Sequence, residues 1–479
     1  MDIAVQEVAG SRPEEPFSGP ILPCLSLRLA THSGTDPAKS RNQHRRMNTR
    51  ATFAAPGTHL VARGSRPSRR TLKHIGNAPG EVMTRHWAIN GRFLTQKVTG
   101  VQRYVREIVQ AMDHQIAAGG PLTSGLDVEL VTPSGIVDPP ALSAIRLRIA
   151  GEMGGSAASG HAWEQLALPR ELRGGLLSLG NGGPVRHRKH IVCIHDVNTR
   201  SFPASYALPF RLLQFVMAPA LGRSAARIAT VSHHSAGELM RRGLCAPSKL
   251  MVAPCGHEHA LRWSARHTAA TRAVAGRDTI VLIGSPAPHK NMAVLLGIAD
   301  RLAAEGLQLA IVGHVDQRVL RPDKAPIGAG NVHLLGRLSD DALTALLQDS
   351  LCLAFPSFVE GFGLPPLEAM TIGCPVVTSN RASMPEVCGP AALYAEPTEP
   401  DEWMECFTRL RGDETLRARL LATGRERATR FSWSRSAHAY LEAMAAMDGL
   451  ATHVPRPVTV APRDAEEVET RRLDTQLGQ

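Results

Sequence analysis

Residues 351–370 read Leu-Cys-Leu-Ala-Phe-Pro-Ser-Phe-Val-Glu-Gly-Phe-Gly-Leu-Pro-Pro-Leu-Glu-Ala-Met. The first five are continuously apolar, the pattern of a parallel strand covered on both faces. Gly361 and Gly363 come next, where backbone can approach a ligand closely. Pro365 and Pro366 suit the first turn of a helix, because a missing N–H costs nothing there. Strand, glycine loop and helix start, in that order, put the loop at the carboxyl edge of a sheet, where ligands of open α/β sheets sit. Free N–H groups and the positive end of the helix dipole favour an anion such as a phosphate. Glu360 precedes this turn and Glu368 sits inside it, eight residues on. A phosphate would repel them, whereas neutral hydroxyls suit them as charge-assisted acceptors. A loop merely shaped by Gly and Pro, with Glu368 as a helix-start charge, is the plainer alternative.

Outward from this stretch, short apolar runs alternate with helical patterns. Strands are expected at 87–90, 128–132, 176–179, 190–194, 228–231 and 250–253. After a polar stretch around 262–277 the pattern restarts at 279–283, 307–312, 332–335, 351–355 and 376–378. Helices are expected over 102–116, 291–304 and 340–349, the last with Ser339 as N-cap and Asp340 and Asp341 at the positive end of the dipole. Strand and helix alternating twice predict an α/β fold of two doubly wound, Rossmann-like domains facing across a cleft, residues 83–270 and 271–430. Residues 1–82 and 451–479 lack sustained periodicity and read as a disordered basic leader and a disordered tail.

Composition narrows the function classes. The 479 residues are 43% hydrophobic and 20% charged, ordinary for a globular protein, with a net charge of +11. The first 80 residues hold twelve Lys/Arg against five Asp/Glu. The basic character is therefore mostly a property of the leader, and no nucleic-acid partner is expected. That leader reads as a solvated arm, or as one that touches an anionic phospholipid face. Eight cysteines without a C-x-x-C pair read as reduced core residues of a cytoplasmic chain. No apolar stretch reaches the roughly 20 residues that span a bilayer. The N-terminus lacks the order of a signal peptide, and Met83 is itself a candidate start site. Membrane contact, if any, is peripheral. Residues 210–227 mix apolar and basic side chains, either to press on a membrane carrying a lipid-linked acceptor or as a core helix broken near Pro219.

Other chemistry falls at the same edges. Gly284-Ser-Pro-Ala-Pro-His-Lys-Asn ends the first strand of the second domain, and Lys290 there reads as a diphosphate cation or a solvated surface lysine. His195 and Asp196 come directly after the strand 190–194. His233-His234 and His257-x-His259 lack Cys or acidic partners at ligand spacing, so no metal site is expected. Neither Asp-x-Asp nor G-x-G-x-x-G occurs, and no cofactor is expected.

The Glu-x7-Glu spacing of Glu360 and Glu368, with Gly361-Phe-Gly-Leu-Pro-Pro-Leu-Glu-Ala-Met370 between and after, resembles retaining glycosyltransferases of family 4, GT-B type. Gly373-Cys-Pro-Val-Val-Thr-Ser-Asn380, Met384-Pro-Glu-Val-Cys-Gly389, Thr99-Gly-Val-Gln-Arg-Tyr104 and Ile194-His-Asp196 continue the resemblance over roughly residues 84–445. It implies an acceptor-side first domain, a nucleotide-sugar-binding second domain, and a terminal helix over 431–450 that crosses back to the first. The implied catalytic residues are Glu360, on the donor sugar, His195, donating to a sugar hydroxyl, and Lys290. The implied donor-binding residues are Gly100, Ser285, Gly361, Phe362, Gly363 and Leu364, with Glu368 on the ribose hydroxyls. A core histidine is the alternative for His195. Many relatives carry Arg where this chain has Ser285, so Lys290 does more of the work or another Arg, such as Arg103, supplies the second charge. The implied activity is metal-independent hexose transfer from a nucleoside diphosphate sugar to a saccharide or lipid-linked acceptor, with retention by a front-face mechanism. Gly91-Arg-Phe-Leu-Thr-Gln-Lys97 and Trp163-Glu-Gln-Leu-Ala-Leu-Pro169 resemble bacterial mannosyltransferases of surface-polysaccharide assembly, which favours GDP-mannose as donor. A nucleotide-sugar epimerase or hydrolase of the same fold, and a catalytically idle binding module, are the alternatives.

Overall fold

The computed structural model describes residues 84–151, 157–285, 287–313 and 330–450. The expected leader over 1–82 and tail over 451–479 lie outside the described residues.

The first sheet comprises β1 (Arg85–Asn90), β2 (Leu126–Thr132), β3 (Arg146–Ile149), β4 (Gly175–Ser178), β5 (His190–Cys193), β6 (Arg227–Thr230) and β7 (Leu250–Val252), in the order β3-β2-β1-β4-β5-β6-β7. The second comprises β8 (Thr279–Gly284), β9 (Gln308–Gly313), β10 (Val332–Gly336), β11 (Cys352–Phe355), β12 (Val376–Ser379) and β13 (Ala392–Ala395), in the order β10-β9-β8-β11-β12-β13. Every pairing is parallel. Strand order reverses between β1 and β4 in one sheet and between β8 and β11 in the other. The loops leaving those carboxyl ends are where a doubly wound sheet binds ligands.

Away from the edge strands β3 and β10 both sheets are covered on two faces, which is why most of their strands are apolar runs. In the second sheet Ile280 and Leu282 pack with Trp403 and Phe407 on one side. Val281 and Leu353 pack with Leu346 and Leu367 on the other. That second cluster continues through Phe431, Trp433 and Tyr440 to Trp87, Ile89 and Tyr104 of the first sheet's layer, so the cores join.

Two strands escaped the sequence reading. β3 is an edge strand whose Arg146 and Arg148 alternate with half-exposed or exposed apolar residues, so it shows no continuous run. β13 is four residues, Ala-Leu-Tyr-Ala. The helix expected over 291–304 is two, Met292–Gly297 and Ala299–Ala304, parted at Ile298. Residues 208–224 form one helix running through Pro219, not a broken core helix. Its Leu208, Leu212, Phe215 and Val216 face outward, with Phe215 63% and Val216 66% exposed. The helix Trp433–Met447 lies against the helix Gly100–Ala118, with Tyr440 Oη and Tyr104 Oη 2.8 Å apart. Beyond its end, Asp448 gathers Arg85, Trp87 and Lys189.

Candidate active site

The loop after β11 is gripped by serines. The Gly361 carbonyl accepts from Ser232 Oγ at 2.6 Å and Ser235 Oγ at 2.9 Å. Ser383 Oγ donates to the Glu360 carbonyl at 3.1 Å and to the Phe362 carbonyl at 2.6 Å. In a trans peptide the N–H points opposite its carbonyl. The N–H groups of Gly361, Phe362 and Gly363 therefore turn away from their serines, and among the described residues no protein group accepts from them. Three successive free N–H groups are the makings of an anion-binding concavity.

Both glycines are required. A Cβ on Gly361 would lie 2.9 Å from the His195 carbonyl oxygen, and Gly363 has φ +119°. The Phe362 ring is buried edge-on against Phe431, so only its backbone can face a ligand. The helix beyond, Leu364–Ile372, has Pro365 and Pro366 as its second and third residues. Both lack an N–H, so the helix offers few donors, and those for an anion come from the loop before it.

At the Glu360 end, Lys290 Nζ donates to Glu360 Oε1 at 2.7 Å and lies 5.4 Å from the centre of the Phe355 ring. Lys290 is thus no free surface lysine. Tyr206, from the first sheet's side, stacks on His289 at 6.0 Å. Burial pushes the Tyr206 hydroxyl well up, helped by the charges of Asp196 and Glu360. Burial also raises the Asp196 carboxyl; the N–H of Asn198 opposes this, Glu360 adds to it and Lys290 opposes it. Burial and Lys290 lower the pKa of His289, with Glu360 opposing them. Ser285 contributes no charge; its N–H meets Met292 Sδ at 3.1 Å. Arg103 does not sit beside Lys290. Its Nη2 donates to both carboxylate oxygens of Asp340, at 2.8 and 2.9 Å, and its Nε lies 3.7 Å from Glu368 Oε1.

At the Glu368 end, Oε1 also receives His259 Nε2 at 2.9 Å, and His259 Nδ1 faces Trp433 Nε1 at 3.0 Å. Among the described residues no hydrogen bond reaches Oε2 of Glu368. Gly100 opens its helix at an exposed N-terminus, capped by the Thr99–Gln102 box. Arg103, in the same first turn, brings that terminus near Glu368. His195 is buried, with Nε2 2.8 Å from the Leu179 carbonyl and the ring edge-on to Tyr104. A carbonyl only accepts, so Nε2 carries a proton; burial lowers the ring's pKa, but Cys193 and that carbonyl outweigh burial and raise it overall.

The sequence reading missed His259, Trp433, Tyr206 and Glu386 as neighbours of this site. The two carboxylate oxygens of Glu386 accept the N–H groups of His233 and His234 at 2.8 and 3.0 Å, tying the second sheet's loops to the start of the helix His233–Arg241. Its place in the Met384-Pro-Glu386 stretch was the available signal. Asn90 Nδ2 donates to Glu164 Oε1 at 2.8 Å and Arg92 Nε lies 3.1 Å from it. The two segments that resemble mannosyltransferases thus meet at the carboxyl edge of the first sheet. Among the described residues no group of three His, Cys, Asp or Glu is placed to hold a metal ion. No described helix is long and apolar enough to cross a membrane.

Two parallel doubly wound sheets with this loop arrangement make up the GT-B glycosyltransferase fold. It is shared with sucrose-phosphate synthase from Thermosynechococcus elongatus, at TM-score 0.57 and 16% identity over 76% of this chain and 99% of that one. Residues 266–427 match the family described as Glycosyl transferases group 1, and the chain carries a domain of that group. It is 28% identical to O-antigen chain mannosyltransferase B of Escherichia coli over 261 residues, 52% of this chain and 68% of the relative. It is 31% identical to MMP alpha-(1->4)-mannosyltransferase of Mycolicibacterium hassiacum over 222 residues, 44% of this chain and 52% of the relative.

Proposed function

We propose that the chain transfers a hexose, mannose, from a nucleoside diphosphate sugar to a saccharide or lipid-linked saccharide during polysaccharide biosynthesis, with retention and without a metal ion. The observation that carries this reading is the loop between Glu360 and Glu368, whose three N–H groups have no protein acceptor among the described residues. Glu360 meets the sugar, the loop amides and Lys290 meet the diphosphate, and Glu368 meets the ribose hydroxyls. Lys290 neutralises the charge that builds on the departing phosphate, which takes up the acceptor's proton on the same face of the sugar. Burial and the neighbouring Asp196 and Glu360 charges push the Tyr206 hydroxyl up, opposed by its hydrogen bond with Asn198. Mannose as the transferred sugar is favoured by the named activities of the relatives, and GDP as its carrier follows from the mannosyltransferase resemblance of the sequence. The cluster of Asn90, Arg92 and Glu164 supports an acceptor saccharide at the first sheet's carboxyl edge.

The chain works in the cytoplasm, and the helix Leu208–Ser224 rests on the membrane. Its exposed Phe215 carries the Arg200 guanidinium 4.7 Å from its ring centre, a mixture suited to an anionic lipid surface. A thermal-shift screen against nucleoside diphosphate sugars, with EDTA present, tests the reading. GDP-mannose should raise the Tm most, and no shift with any nucleotide sugar would refute it.

A further inference from the structure

Glu368 is held by a partner chosen with one proton position. Trp433 Nε1–H can only donate. His259 Nδ1, 3.0 Å away, must therefore accept, so the neutral imidazole carries its single proton on Nε2. That proton points at Glu368 Oε1, 2.9 Å away. The ring cannot rotate or change tautomer without breaking both bonds. It is 1% exposed and boxed edge-on by Trp263, at 5.2 Å between ring centres, with the Trp433 ring at 5.6 Å. Arg103 Nε approaches the same oxygen at 3.7 Å. Both contacts crowd Oε1, and Oε2 is left as the lone-pair face for a ligand.

We infer that His259, fixed by Trp433, is a positioning residue that aims Oε2 of Glu368 at a vicinal diol. It thereby sets the enzyme's preference for ribonucleotides over deoxyribonucleotides. This rests on the proposed ribose role of Glu368. The chain of contacts also ties that preference to the terminal helix, because Trp433 is its first residue. Glu258, next to His259, accepts the backbone N–H of Trp433 at 2.9 Å, so Trp433 is held at its main chain as well as at its indole N–H.

The test compares GDP with 2′,3′-dideoxy-GDP by calorimetry on the full chain. His259→Phe keeps a ring but loses the donor, and should reduce the ratio of the two affinities at least about tenfold, or about 1.4 kcal/mol. His259→Gln carries an amide oxygen for Trp433 and an amide N–H for Glu368 at nearly the same spacing, so it should keep most of the ratio. Glu368→Gln should abolish it. If Glu368→Gln loses the ratio while His259→Phe keeps it, the positioning role is overturned. If His259→Gln loses it as fully as His259→Phe, the ring's packing rather than its proton matters, and the inference is again overturned. If Glu368→Gln itself keeps the ratio, the ribose reading of Glu368 fails first.

Discussion

The Glu360–Lys290 pair, 2.7 Å apart, holds two charges that a bound donor must share out: the anion for sugar hydroxyls, the cation for phosphate. Replacing Glu360 by Gln leaves Lys290 free for the diphosphate. Turnover should then fall about a hundredfold or more while GDP affinity holds or rises, as read from kcat and from calorimetry. Unchanged turnover would remove Glu360 from the site. The two acids, the glycines and Lys290 were legible in the sequence because each sits just after a recognisable buried strand. His259 and Trp433 were not. They are far apart along the chain, and their meaning lies in which nitrogen carries a proton, which no spacing encodes. Ser285 was legible only as a departure, and among the described residues Lys290 has no arginine bonded beside it to make up the missing charge.

At the scale of elements, the loop after β11 works because its backbone lies against that of the turn after β5. Gly361→Ala puts a methyl 2.9 Å from the His195 carbonyl oxygen, so the loop must move outward. The variant should lose about 1–3 kcal/mol of stability in urea unfolding and most of its turnover while remaining folded. Full activity would mean that the loop's placement does not matter. The helix Leu208–Ser224 makes a separate forecast. Phe215→Ser with Val216→Ser should lower co-sedimentation with phosphatidylglycerol vesicles and leave GDP binding in solution, read by calorimetry, unchanged. Equal sedimentation would take the helix off the membrane. Most strands were readable because burial on both faces enforces apolar runs. β3 failed because an edge strand needs no such run, and the split at Ile298 failed because either form of that segment buries Leu295 and Leu302.

For the whole molecule, the terminal helix Trp433–Met447 and Asp448 just beyond it join the two sheets' layers. Asp448 accepts from Arg85 at 2.7 Å and Trp87 at 2.9 Å and pairs with Lys189 at 2.5 Å. Burial alone would raise its carboxyl, but these partners hold it below the ordinary value. A carboxyl depressed in the folded state stabilises above its unfolded pKa of about 3.9, and that contribution is lost as pH falls through the folded value. Asp448→Asn should therefore lower Tm at pH 7, with the gap to wild type closing as pH drops below about 4. A gap independent of pH would mean the bonds matter and the charge does not. The central claim is that Glu360 and Glu368 divide one nucleotide sugar between them. Its most direct test is calorimetry of GDP and GDP-mannose on wild type, Glu360→Gln and Glu368→Ala. The account predicts that Glu368→Ala weakens both ligands alike, by about 1–3 kcal/mol. It predicts that Glu360→Gln spares GDP and erases whatever the mannose adds. Both variants weakening GDP equally, or neither changing any affinity, would contradict it.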